Sequence, residues 1–343
     1  MTRDTVALVE SPAQLLHLLE WAHAEQAAHR TVAVVLAPVE ATSVAQLRQL
    51  AAFADEEDIQ VEWYAPRGSL GARLATLRQV AGRVSKARRL VIGDPFSGMI
   101  QALLLAAHPR EAVVVDDGTA TLEFASQLSS GEPLRRWDAQ PSAMEPLRAP
   151  LGQHARRFFS AERVRVFTVM PVSGLPASRI HHHGYDWTRA RFGTPKVVAG
   201  VDVVGSSLAE SGVVDETAYL EAIERLAARS GWRGRYFAHR KESVEKLEQI
   251  NRLGLRVMRP DVPLEIELCR GPVSAKLASF PSSVGYTLPL VLAGVGVSVE
   301  LQPVPTGMLT AKVGPAARRF LDRISSDLRG NELGVASPFS ASA

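Results

Sequence analysis

Two adjacent carboxylates, Asp116 and Asp117, follow three valines and precede Gly118, a residue that permits a tight turn. Neighbouring carboxylates repel when both ionise, so one of them tends to gain basicity. A carboxylate at the end of a buried strand suits a general base that removes a proton from a hydroxyl. Two other interpretations stay open. The pair could form an Asp-Gly turn that caps the next helix. It could also bind Mg²⁺, which is less favoured because no further acidic residues accompany it.

A histidine follows an aromatic strand in the second half of the chain, where His239 precedes Arg240 and Lys241. An imidazole with its ordinary pKa near 6.5 could donate a proton to a leaving phosphate, and the cationic neighbours favour an anionic ligand. The alternative interpretation is a surface turn of solvated charges.

The other histidines do not predict a metal centre. His17 lies on a predicted helix and has no other metal-ligating residue near it in the sequence pattern. Residues 181–183 are all histidine, but neighbours in an extended segment point in alternating directions and cannot all face one ion. We interpret residues 171–195, which contain this run, as the connection between two domains, and we predict no metal.

Two serines, Ser282 and Ser283, stand at the start of an apolar helical run. Free backbone N–H groups and the positive end of a helix dipole, joined by two hydroxyls, suit a phosphate. A plain serine N-cap is the alternative. Gly205 and Ser206 form a second turn that could face a phosphate, and Glu265 could accept hydrogen bonds from ribose hydroxyls.

Short β-branched runs alternate with helical patterns, which is typical of parallel sheets covered on both faces. We predict strands over residues 6–9, 31–36, 59–64, 89–92, 112–115 and 164–169, and a second block that begins with a strand over residues 196–204. Residues 129–151 are predicted to form a loop. The predicted organisation is an N-terminal Rossmann-like domain over residues 1–190, a C-terminal one over 196–328 and a flexible tail over 329–343. Two such doubly wound domains place a cleft between the carboxyl ends of their sheets.

The composition excludes several classes of protein. Of 343 residues, 46% are hydrophobic and 22% charged, which excludes a disordered, collagen-like or fibrous chain. A net charge of +3 is too small to indicate a nucleic-acid partner. The single cysteine, Cys269, cannot form an internal disulfide, and no apolar run approaches the 18 or so residues of a membrane span. We expect a cytoplasmic protein, whose basic clusters, such as residues 86–89, could favour the anionic inner face of a membrane.

In this order, Asp116-Asp117-Gly118, His239-Arg240 and Ser282-Ser283 resemble the three motifs of the bacterial sialyltransferases, including the capsule polysialyltransferase-like group. The resemblance extends to residues 9–16, to Gly93-Asp94, to Gly205-Ser206 and to residues 263–265, and covers most of residues 5–300. One departure is Arg240, where the family usually has proline after the histidine, although His-Arg resembles a variant of the polysialyltransferase-like group.

The resemblance implies an α/β protein of the GT-B type, with two Rossmann-like domains facing across a cleft. It implies an inverting glycosyltransferase that uses a CMP-activated sialic acid, needs no metal or other cofactor and adds the sugar to a hydroxyl of a glycan acceptor. Asp116 would be the base, Asp117 would order the turn or assist, and His239 would be the acid. The donor would be held by Ser282, Ser283, Glu265, Gly205, Ser206 and Arg240, and the acceptor side would comprise Ser11, Gln14 and Gly118.

Three alternatives to this hypothesis differ in the activity they predict. A transferase that uses CMP-Kdo or another nonulosonic acid is close, because the motifs address CMP and phosphate more than the sugar. A non-catalytic nucleotide- or glycan-binding subunit of surface-polysaccharide assembly would bind CMP without turnover, and would not need the carboxylate base. A Rossmann oxidoreductase is disfavoured because residues 10–14 lack the glycine fingerprint of a pyrophosphate site. The acceptor, the linkage and the oligomeric state stay open.

Overall fold

The computed structural model describes residues 3–136, 145–229 and 234–311, together with residues 313, 318, 321, 322, 324 and 326. The chain divides into two units, Met1–Trp187 and Thr188–Ala343. Each unit is built on its own parallel sheet. The predicted tail, residues 329–343, lies outside the described residues.

The first unit contains a seven-stranded sheet with the order β3-β2-β1-β4-β5-β6-β7, in which every neighbouring pair is parallel. Its strands are β1 (Thr5–Val9), β2 (Thr31–Leu36), β3 (Gln60–Tyr64), β4 (Arg89–Ile92), β5 (Glu111–Val115), β6 (Val164–Thr168) and β7 (Ile180–His182). The central strands β1 and β2 are fully buried, and valine, alanine and leucine dominate them because helices cover both faces of the sheet.

The helices of this unit are α1 (Pro12–Ala24), α2 (Ala41–Glu56), α3 (Leu70–Val84), α4 (Gly98–Leu103), α5 (Ala120–Ser130) and α6 (Glu145–Ser160), and α7 (Asp186–Phe192) crosses the boundary between the units. The start of α1 follows from its local sequence. Pro12 occupies the first turn, and the Ser11 hydroxyl accepts a hydrogen bond from the backbone N–H of Gln14 at 3.3 Å.

Two sequence predictions for this unit are wrong. Of the predicted loop over residues 129–151, residues 129–130 belong to α5 and residues 145–151 to α6, while residues 137–144 lie outside the described residues. Helix α6 contains Pro150 and buries Phe158 and Phe159 in the core. The histidine run is not part of a linker, contrary to the sequence prediction, because residues 180–182 form β7, which adds a seventh strand to the sheet and pairs with β6. Both elements have a weak intrinsic preference for their secondary structure, so contacts with the rest of the unit stabilise them.

The second unit contains a five-stranded parallel sheet with the order β10-β9-β8-β11-β12. Its strands are β8 (Val197–Val204), β9 (Arg235–Phe237), β10 (Arg256–Met258), β11 (Val273–Ser279) and β12 (Ser298–Leu301). The connecting helices are α8 (Glu216–Arg229), α9 (Val244–Arg252), α10 (Leu264–Arg270) and α11 (Val284–Val291).

The strand order reverses once in each sheet, between β1 and β4 in the first and between β8 and β11 in the second. Ligands of doubly wound sheets bind beyond the carboxyl ends of the strands at such a reversal. The predicted fold class, two Rossmann-like α/β domains of the kind that GT-B proteins combine, is confirmed; the cleft between them stays a prediction. Within the described part of the chain, every helix is too short or too polar to span a bilayer.

Candidate functional site

Asp116 lies at the end of β5 with no exposed surface. Its Oδ1 accepts a hydrogen bond from the Thr168 hydroxyl at 2.5 Å, and its Oδ2 accepts one from the backbone N–H of Val169 at 2.7 Å. Burial raises the pKa of Asp116 to about 6, although these hydrogen bonds oppose the shift. Asp116 therefore ties the end of β5 to the end of β6 and has both oxygens engaged within the protein.

Asp117 is partly exposed. It contacts two residues of the predicted acceptor side, Ser11 through a hydrogen bond and Gly118 as the next residue in the chain. Its Oδ1 accepts a hydrogen bond from the Ser11 hydroxyl at 3.0 Å, and its Oδ2 lies 3.3 Å from a guanidinium nitrogen of Arg136. Gly118 follows with φ of 63°, a left-handed conformation that glycine adopts without strain. The turn after β5 thus presents Asp117 to its surroundings and holds Asp116 inside.

Gln14, the third predicted acceptor-side residue, is buried beneath the end of β1. Its Oε1 accepts a hydrogen bond from the backbone N–H of Glu10 at 2.7 Å. Gly93 makes this possible, because a Cβ at that position would lie 2.6 Å from Gln14 Cδ. Gln14 therefore positions the backbone of Glu10.

Glu10 and Asp94 follow the adjacent strands β1 and β4 and line a cavity of about 690 Å³. Both are nearly fully buried. Arg67 pairs with Glu10 at 3.2 Å, and Arg136 pairs with Asp94 at 2.7 Å. Burial, reinforced by the charge of Asp94, raises the pKa of Glu10 to about 7, and burial also raises the pKa of Asp94. Perturbed carboxyls in a cavity at the strand reversal are typical of a functional site.

A buried cluster of His17, His183 and Asp116 has ligand atoms within 4.8 Å of one another. The prediction that His17 has no potential metal ligand near it is therefore wrong. The segment after β7 places His183 Nε2 3.1 Å from His17 Nδ1. The two rings also contact Tyr185, whose hydroxyl lies 3.4 Å from His17 Nε2 and whose backbone N–H donates to His183 Nδ1.

The hydrogen bonds of this cluster do not suit a metal ion. Since His183 Nδ1 accepts from Tyr185, the neutral ring carries its proton on Nε2 and donates it to His17 Nδ1. Coordination through His183 Nε2 would require that proton to move to the nitrogen that faces an N–H group. Burial lowers the pKa of His17 to about 4 and that of His183 well below its ordinary value, so both rings stay neutral at pH 7. The cluster fits a hydrogen-bonded core.

In the second unit, β8, β9 and β11 end side by side, because Val204 is in register with both Phe237 and Ser279. The turns that follow these three strands carry predicted donor-side residues: Gly205 and Ser206, His239 and Arg240, and Ser282 and Ser283. The sheet thus brings these three turns to one edge, beside its strand reversal.

Two hydroxyls at this edge have no hydrogen-bond partner in the part of the chain that the structure describes. Ser206 is 3% exposed, and the Oγ atoms of Ser206 and Ser282 are both buried without a partner among the described residues. Most buried hydroxyls are hydrogen-bonded, so each such group calls for an explanation. Ser283 precedes α11, but its side chain makes no capping bond, so a plain serine N-cap does not describe this turn.

A buried relay links the turns after β8 and β9. The Tyr219 hydroxyl accepts from the backbone N–H of Ser206 at 3.1 Å and lies 2.9 Å from the Tyr236 hydroxyl, which donates to Glu242 Oε1 at 2.6 Å. Glu242 Oε2 then accepts from the backbone N–H of His239 at 2.6 Å. Gly205 is required here, because a Cβ at that position would lie 2.6 Å from the Tyr236 hydroxyl.

The buried Lys246 compensates the charge of Glu242 in this hydrogen-bonded chain. Its ammonium group lies 2.9 Å from Glu242, 3.0 Å from Glu210 and 4.0 Å from the centre of the Tyr219 ring. Burial raises the pKa of Glu242, and Lys246 opposes that shift. An ion pair without exposed surface costs desolvation that its attraction only partly offsets, so it is weak support for stability and stronger support for fixed geometry.

His239 is partly exposed, and its Nδ1 accepts a hydrogen bond from the backbone N–H of Lys241 at 3.2 Å. The neutral ring therefore carries its proton on Nε2. Glu265, at the start of α10, accepts a hydrogen bond from the Thr287 hydroxyl at 2.8 Å. Burial raises the pKa of Glu265, and the charge of Arg240 opposes the shift, which places Arg240 near that carboxyl.

Sequence reasoning missed Glu10, Arg67 and Arg136. The signal for Glu10 was present, since it directly follows a buried strand as Asp116 does. No local pattern marks Arg67 or Arg136, whose roles arise from carboxylates 57 and 42 residues away along the chain.

No protein-family model and no curated protein matches this sequence. Distant similarity to solved structures exists. Examples are a Staphylococcus aureus MnaA–UDP complex (10% identity, 97% of this chain and 89% of that chain, TM-score 0.49), Anabaena Alr3699/HepE in complex with UDP and glucose (14%, 96% and 90%, 0.48) and Escherichia coli heptosyltransferase WaaC with ADP-2-deoxy-2-fluoro heptose (14%, 93% and 99%, 0.42). At these identities and TM-scores, the similarity assigns no activity to the chain.

Proposed function

We propose that this protein is an inverting glycosyltransferase that moves sialic acid, or a related nonulosonic acid, from its CMP-activated form to a hydroxyl of a glycan acceptor. The observation that carries the proposal is the edge of the second sheet. There the Ser206 hydroxyl after β8 and the Ser282 hydroxyl after β11 have no hydrogen-bond partner among the described residues, and β8 also pairs with β9, whose following turn carries His239.

A nucleotide phosphate would complete the hydrogen bonding of this edge. Each buried hydroxyl could donate to a phosphate oxygen, and the backbone N–H groups at the start of α11 and the cationic Arg240 would add to its stabilisation. Glu265 is suited to the ribose, because a carboxylate accepts hydrogen bonds from two adjacent hydroxyls.

His239 is proposed as the group that stabilises the leaving phosphate. Its proton sits on Nε2 when the ring is neutral, and an adjacent phosphate would favour the doubly protonated ring. Departure of CMP from a nonulosonic acid leaves an oxocarbenium-like sugar, so a donor to the phosphate lowers the barrier without any metal.

For the base we propose Asp117, with Asp116 as a positioning residue. The sequence hypothesis assigned the base to Asp116, but that carboxylate is buried with both oxygens engaged. Asp117 is partly exposed, and the Ser11 hydroxyl and Arg136 hold its oxygens in place. Asp117→Asn should lower turnover ~10²–10⁴-fold with the fold intact, and full activity in this variant would remove the assignment.

Nucleotide binding and CMP release test the donor side. Calorimetric titration should give tighter binding of CMP than of UDP or ADP, and Ser282→Ala should weaken CMP binding about tenfold. The matched control is Ser298→Ala, an exposed serine on β12. Tighter binding of UDP would refute the CMP assignment.

Turnover separates the remaining alternatives. CMP-sialic acid and CMP-Kdo are incubated separately with the protein and a glycan acceptor mixture, and CMP release is measured. We expect release from CMP-sialic acid that His239→Ala depresses. Release from CMP-Kdo alone would identify the other sugar class, and CMP binding without release from either donor would indicate a non-catalytic binding subunit.

We also propose that the protein works at an anionic membrane surface. Residues 64–93 contain seven basic and no acidic residues. On α3 within this stretch, Leu70 and Leu74 are 74% and 59% exposed. The same helix carries Arg73 and Arg78, which form no ion pair among the described residues. Cationic side chains on a helix with exposed leucines suit anionic lipid headgroups. Sedimentation with phosphatidylglycerol vesicles, but not with phosphatidylcholine vesicles, is expected, and Leu74→Ser should reduce it. Equal recovery with both lipids would contradict this proposal.

A further inference from the structure

The cavity between the ends of β1, β3 and β4 has the size and polarity of a ligand site. Its volume of about 690 Å³ lies within the roughly 300–1,000 Å³ range of small-molecule sites. Its lining combines three arginines with two buried carboxyls: Arg67, Arg73, Arg136, Glu10 and Asp94. The cavity belongs entirely to the first unit.

One arginine of the cavity has no carboxylate partner among the described residues. Arg67 is bound to Glu10 and Arg136 bridges Asp94 and Asp117, whereas Arg73 forms no ion pair among the described residues. Its guanidinium reaches over the start of α4, where a Cβ on Gly98 would lie 3.8 Å from it. One cation therefore stands at the wall of the cavity without an anionic partner, which favours an anionic ligand.

The arrangement also favours a polyhydroxylated ligand. Each sugar hydroxyl can both donate and accept a hydrogen bond. A carboxylate that is held by an arginine offers acceptor atoms next to donor atoms in fixed positions, which suits a row of such hydroxyls. Gln14 fixes the backbone of Glu10, and Gly93 leaves room for that contact, so the acceptor atoms are positioned before a ligand arrives.

We propose that this cavity binds an acidic saccharide, a sugar that carries a carboxylate or a phosphate group. Arg73, assisted by Arg67, takes the anionic group, and Glu10 and Asp94 bond the hydroxyls. Only the further assignment of this saccharide as the acceptor of transfer rests on the proposed function.

Binding should be linked to proton uptake. Glu10 faces Asp94 from β4, Arg67 from the segment after β3 and Ser97 before α4, and its charged form is already disfavoured by burial. A bound anion would disfavour that form further, so affinity should fall several-fold from pH 6 to pH 8. Glu10→Gln, which resembles the protonated residue, should flatten this dependence.

Direct titration without any donor nucleotide tests the proposal. The probes are N-acetylneuraminic acid, glucuronic acid and glucose 6-phosphate, with glucose as the neutral sugar that matches the last two. The full-length protein should bind at least one acidic probe about tenfold more tightly than glucose. Arg73→Gln should abolish the preference, while Arg78→Gln, on the same helix but outside the cavity lining, should retain it.

Three results would overturn the proposal: no binding of any acidic probe, equal binding of glucose and the acidic probes, or an unaltered preference in Arg73→Gln. Because the titration involves no CMP-sugar, its failure leaves CMP release to be judged separately. Conversely, a preserved acidic preference in a protein that releases no CMP would refute the transferase assignment and leave the saccharide site standing.

Discussion

Replacing Glu10 with glutamine should stabilise the protein at alkaline pH and change its stability little at acidic pH. The Glu10 side chain is 7% exposed, follows the buried strand β1, and is paired with Arg67 at 3.2 Å. Burial raises its pKa from an ordinary 4.5 to about 7. Glutamine keeps the shape and part of the hydrogen bonding to Arg67, and removes the cost of burying a charge.

The pKa gives the magnitude and the sign. At 1.36 kcal/mol for each tenfold change, the rise from 4.5 to about 7 corresponds to about 3 kcal/mol. Because the folded-state pKa is raised, the stability associated with the neutral carboxyl is fully present below pH 4.5 and is lost as the pH rises through about 7. The variant should therefore gain up to about 3 kcal/mol over the natural protein at pH 8, or about 6–12 °C in Tm.

Calorimetric melting of both full-length proteins from pH 4.5 to pH 8.5 measures this difference. Glu132→Gln, which alters an exposed carboxylate of the same unit, is the control and should show no such pH-dependent gain. A difference between Glu10→Gln and the natural protein that is constant with pH, or that shrinks toward pH 8, would refute the account of a buried carboxyl with a raised pKa.

Further substitutions test the interior of each unit. Lys246→Met should cost about 3–5 kcal/mol in urea unfolding because Glu242 loses its buried partner; addition of Glu242→Gln should recover at least half, and no recovery would argue against the pair. Ser206→Ala should leave the free energy of unfolding within about 0.5 kcal/mol, since no bond is lost, yet weaken CMP in titrations; a large destabilisation would reveal an internal partner. Gly93→Ala should cost about 1–3 kcal/mol in the same unfolding assay through its clash with Gln14, and Gln14→Ala in the same chain should relieve that clash.

Elements with an unbroken apolar period could be predicted closely. The strands over residues 31–36 and 89–92 have the predicted bounds, because a short apolar run marks a buried strand locally. β7 and α6 could not be predicted in this way. β7 contains one isoleucine and two histidines, and α6 contains prolines and few hydrophobic residues in its first half, so partners distant in sequence stabilise both.

The candidate site likewise has features that could be predicted from local sequence and features that depend on contacts between distant residues. The turns after β8, β9 and β11 could be predicted as the edge of a parallel sheet, because chemistry-bearing residues follow buried strands there. The burial of Asp116 and the cavity around Glu10 could not. Thr168 lies 52 residues beyond Asp116, and Arg136 lies 42 residues beyond Asp94, and the sequence separation alone gives no sign of either contact.

The hydrogen-bonded chain from Ser206 to His239 makes two turns depend on one buried scaffold. Tyr219, Tyr236 and Glu242 hold both turns through backbone amides, which the identity of the surface side chains does not alter. An engineer could therefore vary the exposed residues of either turn freely while the loops kept their shape. Exchanging a tyrosine of the scaffold, in contrast, would disturb both turns at once.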